Sequence, residues 1–175
     1  MEDLHIRPVL RDAHLSLRAP VMADAPSLAE HANCADVARW LLKMPHPYTL
    51  SDAQDFIAAQ MQSRSAGQSY VICLDDEAIG CIGTKGEFGY WLSQHHWGKG
   101  IVSAAARAVL QAHFDGGGGV LRSSHATDNL RSRRVLEKCG FQPTGAVERR
   151  IGRSEGQVHL HRMMLLTPTD WAAVA

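Results

Sequence analysis

Between residues 69 and 115 the spacing of apolar side chains changes from every second position to every third or fourth, and the change falls across Trp97-Gly98-Lys99-Gly100. Upstream, residues 69–74, 78–84 and 87–92 read as strands separated by Asp75-Asp76 and Lys85-Gly86, an antiparallel meander. Downstream, Ile101, Ala105, Ala108, Val109 and Ala112 share a helical face as far as about Phe114. A sheet therefore passes into a helix through a glycine turn. Amides that open a helix have no partners inside it and lie at the positive end of its dipole, so a turn that bares them suits phosphate. The turn is not a Walker loop, because Gly100 follows Lys99 where Ser or Thr would ligate magnesium, and Ser93 stands where the first glycine belongs. Nor is it a dinucleotide fingerprint: Ser103 replaces the third glycine, and a meander precedes it.

The other elements follow from similar local signals. Leu15–Arg18 alternates like a short strand, Asp24 introduces a helix over 27–33, and a second short helix is predicted over 35–42. After Pro45 and Pro47, Ser51-Asp52-Ala53-Gln54 reads as a capping box for a helix whose buried stripe is Ile57, Ala58 and Met61. Beyond the glycine run 116–119, which reads as a helix exit, a strand is predicted over 120–127. A helix over 129–139, stopped by Gly140, and strands near 146–151 and 158–165 complete the chain. The strands ending at Leu92 and Thr127 are joined by a helix and should be parallel.

The 175 residues suit one domain over 1–175, and 45% apolar with 21% charged residues excludes a disordered, collagen-like or coiled-coil chain. Eighteen basic residues balance eighteen acidic ones, leaving no overall field for nucleic acid or an anionic membrane, and neither is expected as a partner. Cys34, Cys73, Cys81 and Cys139 are widely spaced and read as reduced thiols. Met1-Glu2-Asp3-Leu4-His5 has no basic-then-apolar leader pattern and no run approaches a membrane span, so a cytoplasmic location is expected.

Gly89-Tyr90-Trp91-Leu92, Trp97-Gly98-Lys99-Gly100 and the run Asn129-Leu130-Arg131-Ser132-Arg133-Arg134-Val135-Leu136-Glu137-Lys138-Cys139-Gly140-Phe141 stand in the order and spacing of one family. From about residue 14 onward the chain resembles the GNAT superfamily of N-acetyltransferases, in particular its Rim-type branch of ribosomal-protein N-terminal acetyltransferases. The resemblance implies a mixed α/β GNAT fold: a central, mostly antiparallel sheet of six to seven strands, splayed between the fourth and fifth and flanked by helices on both faces. It implies acetyl-coenzyme A as cosubstrate, wedged in the splay against Leu92, Trp97, Gly98, Lys99, Gly100, Ile101, Val102 and Ser103, with Asn129 bonding the pantetheine amides. Asn129 could equally be a plain helix cap. The family motif has Gln or Arg where this chain has Trp97, Gly or Ala where it has Val102, and often a Tyr general acid where it has Leu136.

Positions 129, 132, 136 and 139 share one helical face, which turns Ser132 inward. By itself such a hydroxyl can bond back to its helix; by resemblance, Ser132 protonates the departing thiolate. Glu87, two residues before Gly-Tyr-Trp, is the candidate base by the same resemblance, working through water, against a reading as a solvated hairpin carboxylate. Arg131, Arg133, Arg134 and Lys138 form either a solvated helix face or a clamp for coenzyme phosphates. The pairs His95-His96 and His159-x-His161 lack a third ligand at metal spacing, so no metal is expected. The implied activity is acetyl transfer to a primary amine, a protein N-terminus or a small molecule, by direct attack in a ternary complex. The alternative is a non-catalytic acyl-coenzyme A binding or sensing module. A monomer or homodimer is expected from the family.

Overall fold

The computed structural model describes residues 14–62, 68–153 and 158–175; Met1 to His5 lie outside them. Strands β1 (Leu15–Arg18), β2 (Ser69–Leu74), β3 (Glu77–Gly83) and β4 (Gly89–Leu92) form one antiparallel sheet in chain order. Strands β5 (Leu121–Ala126), β6 (Gln142–Ile151) and β7 (Val158–Leu166) form a second, in the order β5-β7-β6. The sheet is thus divided between its fourth and fifth strands, as the family resemblance implies.

Alternation along the strands builds a core on each face. Val71, Cys73, Ala78 and Cys81 pack under helices α1 (Ala25–Ala32) and α3 (Leu50–Gln62). Tyr70, Ile72, Ile79 and Ile82 pack on the other face against Ile101, Ala105 and Val109 of α4 (Ile101–Asp115). Ile79 is an extra residue: Ile72 and Cys73 pair with Gly80 and Ala78, so a bulge puts Ile79 on the α4 face. Leu136 of α5 (Leu130–Lys138) and Phe141 join the same core, where Phe141 stacks on Phe88 at 5.3 Å. No described helix is long and apolar enough to cross a membrane.

Four local expectations are corrected. The capping box of α3 is Thr49 with Asp52, whose side chains each accept from the other's amide at 2.8 and 3.2 Å, and the Ser51–Gln54 box is not formed. Met61 is 65% exposed, so Ala53 and Ile57 form the buried stripe. The helix predicted over 35–42 stops at α2 (Ala35–Ala38), running out through looser turns to Leu41 before the prolines. A final helix, α6 (Pro168–Ala172), was not predicted, although Thr167 and Asp170 make a reciprocal cap before it.

Gly80 lets β4 lie close to β3, because a Cβ there would collide with the carbonyl oxygen of Trp91. Gly80→Ala should therefore destabilise the fold by about 1–3 kcal/mol, while Gly89→Ala, whose Cβ would meet nothing within 4 Å, should change it little. Urea unfolding of both variants checks this, and equal midpoints would contradict it.

Candidate active site

Strands β4 and β5 meet at one end only. The Phe88 amide donates to the Arg122 carbonyl at 2.7 Å, and the Ser123 hydroxyl to the Phe88 carbonyl at 2.8 Å. The Ser93 amide, at the other end of β4, donates to Ile79 of β3 at 2.8 Å. Because amide directions alternate along a strand, Phe88, Tyr90 and Leu92 face β5 while Ser93 faces β3. Past Phe88 no strand pairs with that edge among the described residues, so the Tyr90 and Leu92 amides open onto a gap.

The glycine turn closes the wide end of this gap. After a single 3-10 turn, Gln94–His96, Gly98 and Gly100 both adopt φ +78°, the left-handed region that a side chain would strain. A Cβ at either would meet nothing within 4 Å, so open space surrounds both. Gly100 is the N-cap of α4, and no side chain caps the helix. None of the amides from Gly98 to Ser103 donates to another described residue, the first bond of the helix being that of Ala104 to Gly100. The Trp97 indole folds back to donate to the Leu92 carbonyl at 2.8 Å, which fixes the turn to β4. Across the gap the Arg131 guanidinium lies 4.8 Å from the centre of that indole ring. The described geometry therefore brings Leu92, Trp97, Gly98, Lys99, Gly100, Ile101, Val102, Ser103 and the start of α5 to one end of one cleft.

On the α5 side, Asn129 caps the helix by accepting the Ser132 amide at 3.1 Å, which leaves its side-chain amide nitrogen to face outward bonding. The Ser132 hydroxyl lies 2.9 Å from the hydroxyl of Tyr90, and Tyr90 also reaches the Ser132 carbonyl at 3.2 Å. Burial pushes the Tyr90 phenol well above the ordinary tyrosine range, outweighing the Ser132 bond, so it stays protonated. Sequence reading placed Tyr90 in a motif and missed its partnership with Ser132, since 42 residues separate them.

Glu87 belongs to a different cluster. Arg150 of β6 grips both its oxygens at 3.0 Å and also contacts Glu148 at 3.2 Å and Ser124 at 3.3 Å. Those Arg150 bonds hold the Glu87 carboxyl below the usual carboxylate range. The Ser124 hydroxyl lies 3.2 Å from Nδ1 of His161, which burial, helped by Arg150, lowers to about 4. Strand pairing sets the faces: Met164 aligns with Ser123 on the α5 side, so Ser124, Glu148, Arg150, His159 and His161 lie on the opposite face. A carboxylate cluster and a hydroxyl pair thus stand on opposite sides of the sheet. Burial raises the Cys139 thiol to about 11, which leaves it un-ionised at neutral pH. Among the described residues no three His, Cys, Asp or Glu side chains converge as a metal site.

Comparison with known proteins gives a consistent picture. Residues 14–142 match the acetyltransferase (GNAT) domain. The chain is 26% identical over 144 residues to the N-acetyltransferase p20 of Bacillus licheniformis, covering 75% of this chain and 80% of that protein. It is 30% identical over 98 residues to the ribosomal-protein-serine acetyltransferase of Escherichia coli, covering 50% of this chain and 54% of that one. Its fold is that of Mycobacterium smegmatis RimJ, solved in complex with CoA-disulfide, with a TM-score of 0.82 at 19% identity over 97% of this chain and 93% of RimJ.

His161 generates a stability prediction. Its folded pKa of about 4 lies below the ordinary histidine value of 6.5, so between them the unfolded chain binds a proton that the fold does not. Its contribution is complete above pH 6.5 and declines as pH falls towards 4, by about 3 kcal/mol at most. His161→Gln should flatten this part of the stability profile measured by urea unfolding; an unchanged slope would contradict the assignment.

Proposed function

The chain belongs to the GNAT acetyltransferase family, with relatives in its Rim-type branch, and from that premise we propose that it passes the acetyl group of acetyl-coenzyme A directly to a primary amine in a ternary complex. The observation that carries the reading is the run of undonated amides from Gly98 to Ser103 at the open end of the β4–β5 gap. A diphosphate fits this turn, because free donors, a helix N-terminus and two glycines without crowding coincide there. Val102 takes part through its amide, so its side chain does not interrupt the cradle, and Lys99 and Arg131 add positive charge. When bound, the coenzyme supplies an activated acyl group and a thiolate leaving group.

The residues of the chain then divide the work. The Leu92 amide, facing the gap, polarises the acyl carbonyl as charge develops on its oxygen. Ser93 cannot share this role, because Ile79 takes its amide. Ser132, oriented by its bond to the Tyr90 hydroxyl, delivers a proton to the departing sulfur and recovers one from solvent, standing in for the family's tyrosine, where this chain has the buried Leu136. The outward amide of Asn129 bonds the pantetheine arm. No acyl-enzyme is required, and the protonated Cys139 offers no nucleophile. These functional groups favour an enzyme over a silent binding module.

The amine enters from the face of Glu87, which accepts its proton through water. An α-amine with a pKa of about 7.7–8.0 needs about 1 kcal/mol to lose its proton at pH 7, and a lysine near 10.4 about 4.6 kcal/mol. A carboxylate whose basicity Arg150 has reduced suits the first task. A protein N-terminus is therefore the proposed acceptor, which the ribosomal-protein relative supports.

Calorimetry should show acetyl-coenzyme A binding that weakens about tenfold or more in Gly100→Val, since the added side chain would enter the open space beside the turn that the diphosphate is proposed to take. Absence of binding to the native chain would overturn the proposal. In a thiol-release assay across peptide N-termini and small amines, Ser132→Ala should lower kcat by about 10²-fold with little change in coenzyme affinity, and undiminished turnover would clear Ser132 of the acid role.

A further inference from the structure

A second cleft, of about 220 Å³, opens on the α5 face of β5, β7 and β6, lined by His125, Arg133, Glu137, Pro143, Arg162 and Met164. It is separate from the gap that holds Ser132: Arg133 and Glu137 leave α5 about 100–140° around its axis from that residue. Strand pairing places His125 beside Arg162 and Pro143 beside Met164, so the cleft floor is built from three adjacent strands.

Two of its groups lack partners. His125 is only 3% exposed, and its Nδ1 lies 2.8 Å from the Ala126 carbonyl. A carbonyl can only accept, so Nδ1 carries the proton in that bond, and in the tautomer this sets, Nε2 presents a lone pair. That nitrogen is buried and has no hydrogen-bond partner among the described residues. Arg133 is paired with Glu137 at 2.8 Å, whereas the Arg162 guanidinium has no ion pair or side-chain hydrogen bond among the described residues. With two arginines and one glutamate lining it, the cleft carries one excess positive charge. A buried lone pair without a donor costs free energy that a ligand can recover.

These features select a ligand. Arg162 calls for an anion, while the Nε2 lone pair calls for a hydroxyl and repels an oxyanion that has lost every proton. A singly protonated phosphate carries both groups, and the space of several waters at about 30 Å³ each accommodates its tetrahedron. We propose that the His125–Arg162 cleft binds a protonated phosphate group, free or as a monoester: its P–O–H donates to His125 Nε2, and Arg162 donates to its remaining oxygens.

The test follows the His125 imidazole and Arg162 guanidinium by NMR at pH 7, in the full chain without coenzyme A, whose own 3′-phosphate is a monoester. Inorganic phosphate should shift both saturably, with a Kd on the order of 1 mM. Sulfate at matched ionic strength, which has no proton to give, should bind at least tenfold more weakly, as should phosphate to Arg162→Met and to His125→Phe. Methyl phosphate, compared at an equal concentration of the form that keeps a P–O–H (a monoester loses its second proton at about pH 6), separates the sources: a matching response assigns a phosphoryl group on a carrier, and none assigns the free ion. Thermal melts establish that the variants fold, and Arg162→Met, on a partly exposed side chain, keeps the test decisive if His125→Phe does not. No saturable shift, an equal response to sulfate, or undiminished binding by Arg162→Met would overturn the proposal. Because the readout is at His125 and Arg162, phosphate taken up by the glycine turn does not move it, and the outcome stands apart from the proposed function.

Discussion

Everything at the proposed acetyl-transfer site depends on where β4 and β5 stop pairing. They share the Phe88–Arg122 hydrogen bond and the Ser123 hydroxyl that closes on Phe88, and then separate. Phe88 is held there by Phe141 stacked on one side and the Tyr90 ring 5.8 Å away. Were pairing to continue, the Tyr90 and Leu92 amides would be consumed by β5, and no wedge would remain. An unmet buried amide costs about 1–3 kcal/mol, so the divergence keeps donors in reserve at some expense of stability, maintained by the aromatic packing at its apex.

The divergence also sorts the chemistry by face. Tyr90 and Ser132 lie on the side of α4 and α5, and Glu87, Arg150 and His161 on the other. The proposed direct transfer needs different proton partners for the attacking nitrogen and the departing sulfur, and a sheet with alternating side chains would supply them from opposite sides without letting them neutralise each other. Arg150 strengthens the separation, since it keeps Glu87 ionised while the buried His161 stays neutral at physiological pH. The same ion pair limits how basic Glu87 can be, which under the proposed function would tie the choice of acceptor to an interaction between residues 63 positions apart.

Much of this was legible in the sequence because it is local. The change of period across Trp97 to Gly100 reports a strand, a left-handed turn and an amphipathic helix within some twenty residues, and Gly98 and Gly100 take the positive φ that only their composition suggested. The Thr49–Asp52 cap lies two residues before the box predicted at Ser51, because two overlapping motifs were present and only packing of Ala53 and Ile57 chooses between them. The helix after Thr167 has its own signal, a capping Thr followed by Pro and Asp, which directly follows the longer strand pattern of β7. Tyr90 with Ser132, and Glu87 with Arg150, had no such signal. Which side chains meet across a splayed sheet is decided by strand order, and strand order is not written in any single segment.

Helix α5 shows how much can rest on a short element once tertiary contacts hold it. A helix of nine residues is marginal in isolation; here Asn129 caps its start, and Leu136 is fully buried in the core beneath it. Its inward face presents Ser132 to Tyr90 and Arg131 to Trp97, and the adjoining flank presents Arg133 and Glu137 to the His125 cleft. Rotation of this helix by one residue's worth, about 100°, would remove both sets of contacts together. The cap and the single buried leucine therefore fix the register on which two chemically distinct surfaces depend, so a loosened α5 would be felt at each of them before the fold itself was lost.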